Sequence, residues 1–179
     1  TAMSEVKEKF ARAAFEQGVH QIVDLSSASV SNGRDGIISF MHSTAEEKLW
    51  KMIDEKPEER SLVVLRPTQF MTNHFRSDIH RIKRSNQIAS CGSASSTFNW
   101  IDTKDIADCA VIILTEPIEK HDRMVYTMSA ESLTNEQRAQ IFTKVLGRTI
   151  TYEQQSINDF YNESIKFGLP HALVYHFLS

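Results

Sequence analysis

The sequence has few cysteines, no long apolar run and no excess of positive charge. Cys91 and Cys109 lie far apart without a CxxC pair or metal-ligand spacing, which predicts reduced thiols in a cytoplasmic protein. No apolar stretch reaches the ~18 residues of a membrane span, and no signal-peptide pattern is present, so we expect no membrane association. A formal net charge of −3 argues against nucleic acid as a partner.

Patterns that bind metals and phosphates are also lacking. His74 and His80 are six residues apart, whereas neighbouring ligands on one helix face are three or four apart, so we predict no metal site. No GxGxxG turn is present, and the one close glycine pair, Gly33 and Gly36 in NGRDG, is too short and acidic to bind a phosphate well. A hairpin or surface loop explains that pair better.

What is present is an alternation of helix and strand, in a composition (41% hydrophobic, 24% charged) typical of one soluble globular core. A helical pattern from Ser4 to Gly18 precedes an apolar run, His20 to Leu25, that predicts a strand buried on both faces. A second helix, Thr44 to Ile53, precedes the strand Leu62 to Leu65, which Arg66-Pro67 closes. Two helix–strand units in series predict an α/β fold with a parallel sheet.

The later part of the chain is less regular. We predict a helix over Met71 to Lys83, strands at Thr97 to Ile101 and Val125 to Met128, and a capping box of Thr134 and Gln137 that starts a helix. An apolar stripe of Met71, Ile79 and Ile82, together with Phe98 and Trp100, either lines a substrate cleft or packs the interface of a small lobe.

Several segments in fixed order carry a family resemblance: AAFEQGVHQIVDLSS, HSTAEE, LRPTQFMTN, WIDTKDIAD, and the pair SAESLTNEQ and VLGRTITYE. From about Val6 to about Leu169 the chain resembles the NmrA-like branch of the atypical short-chain dehydrogenase/reductases. The resemblance implies a Rossmann domain that binds NADP or NAD, with a small C-terminal substrate lobe. The first strands and the Gly-rich turn of that fold have no counterpart here, so we expect the later half of such a protein.

The implied domain organisation follows from this resemblance. Residues 1–120 correspond to a partial NAD(P)-binding Rossmann-like domain that lacks the Gly-rich half. Residues 121–179, interleaved with 68–100, correspond to a small α+β substrate lobe.

The candidate cofactor site lies at the carboxyl ends of the strands, where open parallel sheets bind ligands. By resemblance, the nicotinamide side comprises Ser26, Ser27, His42, Pro67, Thr68, Phe70 and Asn73. Each has a plainer interpretation as well. The two serines can cap a strand end, Phe70 can pack in the core, and Asn73 can cap a helix.

The catalytic pair expected of this superfamily is replaced. Conventional members use Tyr-x-x-x-Lys, in which the ammonium lowers the pKa of the phenol. Here the corresponding spacing gives His42-x-x-x-Glu46, in which His42 can transfer a proton but Glu46 cannot supply a cation. The pattern resembles quinone-reductase-like members, and His42 is our candidate catalytic residue. The plainer interpretation places His42 in a loop or at a helix start on the wall of the cleft.

Three functional hypotheses remain open at this point. The chain is part of an NAD(P)H-dependent reductase of quinone-like or other small conjugated carbonyl compounds, or it is an NAD(P)-sensing regulatory protein without turnover. In the third, it binds no dinucleotide and its exposed sheet edge pairs with a protein partner or another copy of itself. The corresponding partners are a small-molecule substrate, a regulatory protein, or a homo-oligomer.

Overall fold

The computed structural model describes residues 1–32 and 36–178, so Gly33 of the NGRDG pair lies outside the described residues. The strands, in chain order, are β1 (Gln21–Leu25), β2 (Ser61–Pro67), β3 (Gln69–Phe70), β4 (Gln87–Ser90), β5 (Thr97–Ile101), β6 (Val125–Met128), β7 (Glu131–Thr134) and β8 (Thr151–Gln154). The α-helices are α1 (Ala2–Glu16), α2 (Ile37–Asp54), α3 (His74–Ser77), α4 (Ile79–Ser85), α5 (Thr103–Thr115), α6 (Ile118–His121), α7 (Asn135–Leu146), α8 (Ile157–Lys166) and α9 (His171–Leu178).

The chain divides into two compact units. Unit 1 comprises residues 1–68 and 104–128, and unit 2 comprises residues 69–103 and 129–179. The domain boundaries predicted from the sequence stay a prediction.

Unit 1 is built on a parallel three-stranded sheet in the order β1-β2-β6. In its register Val23 pairs with Val63, and Pro67 at the end of β2 pairs with Met128 at the end of β6. The apolar run of β2 is buried because helices pack against the sheet, and the core cluster joins residues of α1, α2 and β2: Ala11, Leu49, Met52, Ile53, Leu62 and Val64. The predicted α/β class with a parallel sheet flanked by helices is confirmed.

Helix α2 begins earlier than the sequence pattern predicted. It starts at Ile37, seven residues before the expected Thr44, and its N-cap residue is Gly36, which has no side chain that could cap the helix. Because no capping side chain marks this start, the sequence carried no signal for it. The interpretation of His42 as a loop or helix-start residue is therefore wrong, since His42 lies inside a continuous helix.

Unit 2 contains two small sheets and short helices. In one sheet β5 pairs parallel with β3 and antiparallel with β7, and in the other β4 pairs parallel with β8. Its core cluster comprises Ile82, Ile88, Ala139 and Ile150. The predicted capping box is confirmed, since the hydroxyl of Thr134 accepts from the Gln137 amide and the Gln137 side chain accepts from the Thr134 amide.

The segment predicted as one helix from Met71 to Lys83 is instead divided. A 3₁₀ turn, Met71–Asn73, leads into α3, and α4 follows after Asp78. The strands β4 and β7 were not predicted. They are short and mostly half-buried or exposed, so they lack the apolar alternation that identifies a strand.

Within the described part of the chain, no helix combines the length and apolar character needed to cross a membrane.

Candidate functional site

The carboxyl end of the unit 1 sheet gathers buried charged groups. Asp24, on β1, is 6% exposed and lies 2.6 Å from the Lys7 ammonium of α1. The same ammonium donates to the carbonyl of Leu25 at 2.8 Å, which fixes α1 against the end of the strand. A charged residue inside an apolar strand is rarely buried unless it is paired, and Lys7 pairs with Oδ1 of Asp24, whereas Oδ2 is buried without a hydrogen-bond partner among the described residues.

Glu46 forms the centre of a second charged group, which we call the Glu46 cluster (Ser26, Glu46 and Arg66). Glu46, on α2, is 3% exposed. The Ser26 hydroxyl, just past β1, donates to its Oε1. Arg66, near the end of β2, donates from Nε to Oε1 at 3.1 Å and from Nη2 to Oε2 at 2.5 Å. Both carboxylate oxygens are therefore occupied, so Glu46 is a fixed anion that orients its neighbours and is not available as a base.

The predicted role of Ser26 as a strand-end group is also visible in its backbone. Its amide donates to the Leu65 carbonyl at 2.7 Å, which extends the β1–β2 pairing by one residue. Ser27 is engaged locally. Its Oγ lies 2.9 Å from the Ser29 hydroxyl and accepts from the Ser29 amide at 3.2 Å, as in a serine turn. Of the two serines, Ser26 is the one that contacts the charged groups.

His42 lies one helical turn before Glu46 on the same helix. It is half-buried, and its Nδ1 is buried without a hydrogen-bond partner among the described residues. Burial lowers the pKa of His42, and the Lys7 charge lowers it further, while Asp24 and Glu46 act in the opposite direction. The imidazole is therefore neutral at neutral pH, with one nitrogen available to a ligand.

Pro67 and Thr68 continue the carboxyl edge of the sheet. Pro67 is buried as the last residue of β2. The Thr68 amide donates to the Met128 carbonyl at 2.9 Å, which leaves its side chain beside the strand end. The Thr68 Oγ1 is buried and has no partner within residues 1–32 and 36–178. Unit 1 thus holds two unpartnered polar atoms, at His42 and Thr68, among the residues predicted for the nicotinamide side.

Phe70 and Asn73 belong to unit 2, whereas the other predicted residues belong to unit 1. Phe70 is half-buried on β3, which pairs with β5. Asn73 is exposed and occupies the N-cap position of α3, as the interpretation of Asn73 as a helix cap expected, but its side chain makes no capping hydrogen bond there. Its carbonyl accepts from the Ser77 hydroxyl at 3.2 Å.

Sequence reasoning missed the structural partners of the predicted residues. Arg66 was recognised only as the closing residue of a strand, and Asp24 and Lys7 were not singled out. A detectable signal existed for Asp24, since it is the one acidic residue in the apolar run His20 to Leu25. No comparable signal tied Arg66 to Glu46, because their contact depends on the packing of α2 against β2.

A cavity of about 390 Å³ lies at the opposite end of the unit 1 strands, lined by residues that include Phe15, His20, Glu59 and Arg60. Parallel sheets bind their ligands beyond the carboxyl ends of the strands, so we assign this cavity no role in cofactor binding. Among the residues described, no three His, Cys, Asp or Glu side chains group as a metal site.

Comparison with known proteins gives one family. The model of the NmrA-like family matches residues 3–178 of the chain. Festuclavine dehydrogenase of Aspergillus fumigatus is 30% identical over 145 residues, which is 80% of this chain and 46% of that protein. The chain spans about half the length of the curated relatives it matches.

Solved structures agree in fold. The NADPH-dependent quinone oxidoreductase of Escherichia coli superposes with a TM-score of 0.75 at 21% identity, covering 96% of this chain and 58% of that one. Triphenylmethane reductase of Citrobacter sp., in complex with NADP(H), gives a TM-score of 0.73 at 18% identity, covering 96% of this chain and 57% of that one. At such identities the likeness shows a shared fold.

Proposed function

The chain belongs to the NmrA-like family, and from that premise we propose that it is part of an NAD(P)H-dependent reductase of quinone-like or other small conjugated carbonyl compounds. The observation that carries the proposal is the carboxyl edge of the unit 1 sheet. There the Glu46 cluster is fixed by its own hydrogen bonds, while His42 Nδ1 and Thr68 Oγ1 are buried without protein partners among the described residues.

These two unpartnered atoms fit the nicotinamide side of NAD(P). A buried polar atom without a hydrogen bond costs about 1–3 kcal/mol, so a ligand that satisfies it gains that amount on binding. Amide and hydroxyl groups, such as those of a nicotinamide and its ribose, can supply both a donor and an acceptor. Bound NAD(P)H would supply a hydride at this edge.

The charge arrangement favours a conjugated acceptor over an alcohol. Oxidation of an alcohol needs a base that takes the hydroxyl proton, and Glu46 cannot act as one because Ser26 and Arg66 occupy it. A conjugated carbonyl spreads the charge it receives with the hydride, so a weak donor such as His42 or a water molecule can complete protonation. The names of festuclavine dehydrogenase and of the quinone oxidoreductase agree with redox chemistry of this kind.

One observation favours a second candidate, a regulatory protein that binds NAD(P) without turnover. The Tyr-x-x-x-Lys pair of conventional members of the superfamily is replaced, and Glu46, at the position of the lysine, is neutralised by Arg66. A site of this kind can hold a cofactor and lack an efficient proton donor.

Calorimetric titration of the purified protein that contains this chain with NADPH and with NADH tests both candidates. We expect binding of at least one of them, followed by oxidation of the bound nicotinamide when a panel of quinones is added. Binding without oxidation would leave the regulatory protein as the function, and the absence of binding would overturn both.

His42→Gln gives the sharper measurement. We expect kcat for the best quinone to fall at least about tenfold, a modest loss for a proton donor because water can partly replace it. His80→Gln is the matched control, since His80 is exposed in unit 2 and we assign it no role. Equal losses in the two variants would remove His42 from the proposed mechanism.

A further inference from the structure

Unit 2 contains a buried polar group that the proposed function does not use, which we call the Asp78 cluster (His74, Asp78 and Arg138). Asp78, between α3 and α4, is 2% exposed. Its Oδ2 lies 2.6 Å from Nδ1 of His74 and accepts from Nη2 of Arg138 at 2.8 Å. The Arg138 Nη1 donates to Oδ1 of the fully buried Asn135 at 2.8 Å, so both terminal nitrogens of the guanidinium are hydrogen-bonded.

The charges in this cluster determine which nitrogen of His74 carries a proton. Arg138 is 7% exposed and always charged, and it pairs with Asp78, so the carboxylate is ionised and can only accept hydrogen bonds. Nη2 of Arg138 also lies 3.4 Å from Nδ1 of His74, but the 2.6 Å contact with the Asp78 carboxylate is much shorter, so His74 donates from Nδ1 to Asp78. In the neutral ring this leaves Nε2 with a free lone pair, as in histidines that a carboxylate orients for binding or proton transfer.

Nε2 of His74 is the atom that this arrangement leaves open. It makes no hydrogen bond among the residues described, and the side chain is 20% exposed. Two aromatic rings flank the imidazole. Trp100 stacks on it at 4.3 Å between centroids, and the half-buried Phe142 meets it edge-on at 5.3 Å. The ring is thus held on its face as well as at Nδ1.

Two further polar atoms, one in the Asp78 cluster and one next to it, lack hydrogen-bond partners in the described part of the chain. They are the indole Nε1 of Trp100, whose side chain is 4% exposed, and Nε of Arg138. Arg138 also lies over the Trp100 ring at 4.9 Å. A buried ion pair costs several kcal/mol in desolvation and seldom stabilises a fold more than apolar packing does, so stability alone explains this cluster poorly.

We propose that His74 is a substrate-binding residue, whose Nε2 accepts a hydrogen bond from a hydroxyl or N–H group of a small aromatic or conjugated molecule. Asp78 and Arg138 are its positioning residues. Trp100 is buried under His74 and Arg138 and holds the imidazole in place, whereas the half-buried ring of Phe142 next to His74 favours a flat apolar body beside the hydrogen-bonding group. Calling this ligand a substrate rests on the proposed reductase function, whereas the binding itself does not.

A matched pair of probes, naphthol and its methyl ether, tests the proposal without any cofactor. The two share an aromatic body, and only naphthol can donate a hydrogen bond. Calorimetry should show naphthol binding about five- to tenfold more tightly than the ether, as one hydrogen bond contributes. In His74→Phe, which keeps a ring beside Trp100, that ratio should fall to about one, and in the control His80→Phe it should be unchanged.

Nitrogen NMR of the His74 ring in the wild-type protein tests the proposal even where His74→Phe fails to fold. The wild-type ring should carry its proton on Nδ1, and naphthol, but not the ether, should shift the Nε2 resonance. Asp78→Asn should mix the two tautomers, since an amide offers both a donor and an acceptor. Equal affinity of the wild-type protein for both probes, no binding of naphthol, or a proton on Nε2 would each overturn the proposal.

Discussion

Two of the histidines that lie on helices, His42 and His74, are each followed four residues later by a buried carboxylate, and the two pairs are arranged in opposite ways. In unit 2, Asp78 holds Nδ1 of His74. In unit 1, Glu46 is occupied by Ser26 and Arg66, and Nδ1 of His42 has no partner among the described residues. The spacing of four places the groups on one face of a helix in both cases, so competing partners decide whether the pair forms.

The difference has a chemical consequence. His74 is oriented by its carboxylate and presents Nε2 outward, which suits a residue that binds a ligand. His42 is a half-buried neutral ring near the charges of Lys7, Asp24 and Glu46, and its Nδ1 has no partner among the described residues. This suits a residue whose hydrogen-bond partner is a bound cofactor or substrate. The same short pattern therefore supports two kinds of site. Each of the following changes tests one side of this comparison.

The largest effect is expected from Arg138→Met, which leaves Asp78 buried without its cation. We expect the free energy of unfolding to fall by about 3–5 kcal/mol, the usual cost of removing one partner of a buried pair. Urea denaturation measures this. Arg84→Met is the control, because Arg84 is 69% exposed and its ion pair spans 3.8 Å, so its loss should stay within about 0.5 kcal/mol. Similar losses in both variants would contradict our description of the Asp78 cluster.

Arg66→Met should have a smaller effect on stability. Arg66 is 21% exposed, so water screens part of the uncompensated charge on Glu46, and we expect a loss of about 2–3 kcal/mol. Arg66→Met also removes the cation that competes with His42 for Glu46. The pKa of His42, followed by proton NMR, should then rise, because an unneutralised carboxylate one turn away stabilises the imidazolium. An unchanged His42 pKa would show that Arg66 does not weaken the effect of the Glu46 charge on His42.

Two threonine variants compare an unpartnered hydroxyl with a bonded one. The Thr143 hydroxyl donates to the Ile150 carbonyl and accepts from its amide, so Thr143→Val should lower the free energy of unfolding by about 1–2 kcal/mol. Thr68→Val removes a hydroxyl without a described partner and should stay within about 0.5 kcal/mol. NADPH should, however, bind Thr68→Val several-fold more weakly. A large loss of stability in Thr68→Val would show that its hydroxyl is bonded in solution.

The smallest effect concerns the pH dependence of stability. Because the folded protein lowers the pKa of His42 below 6.5, the unfolded chain takes up this proton first as the pH falls. His42 therefore contributes a loss of stability that begins near pH 6.5 and levels off below the folded pKa. We expect the loss to stay below about 1 kcal/mol, because the ring is only half-buried.

His42→Gln should remove this contribution, and urea titrations of both proteins between pH 7.5 and about 5 measure the difference. The variant is needed because burial also lowers the pKa of His176, which acts with the same sign in both proteins. Parallel pH profiles for the wild-type protein and the variant would contradict the lowered pKa of His42.

Local features of the fold could be predicted because their causes lie within a few residues. The capping box of Thr134 and Gln137 and the strands β1 and β2 are of this kind. The prediction that β1 is buried on both faces is wrong, because β1 lies at the edge of the described sheet and is mostly half-buried, with Leu25 exposed. The edge strand β7 could not be predicted, since its partner β5 lies far along the chain and its side chains are largely exposed or half-buried. The start of α2 was missed because Gly36 supplies no capping side chain.

By itself, the sequence determined the α/β class, the order α1, β1, α2 and β2, and membership of the NmrA-like family, because these depend on local periodicity and on segments in fixed order. Only the tertiary structure decided the partners of each charge. Glu46 is twenty residues from both Ser26 and Arg66, and Asp78 is sixty residues from Arg138. Pairs at such separations meet through packing, so the same His-x-x-x-acid spacing produced an unpaired histidine in one unit and a paired one in the other.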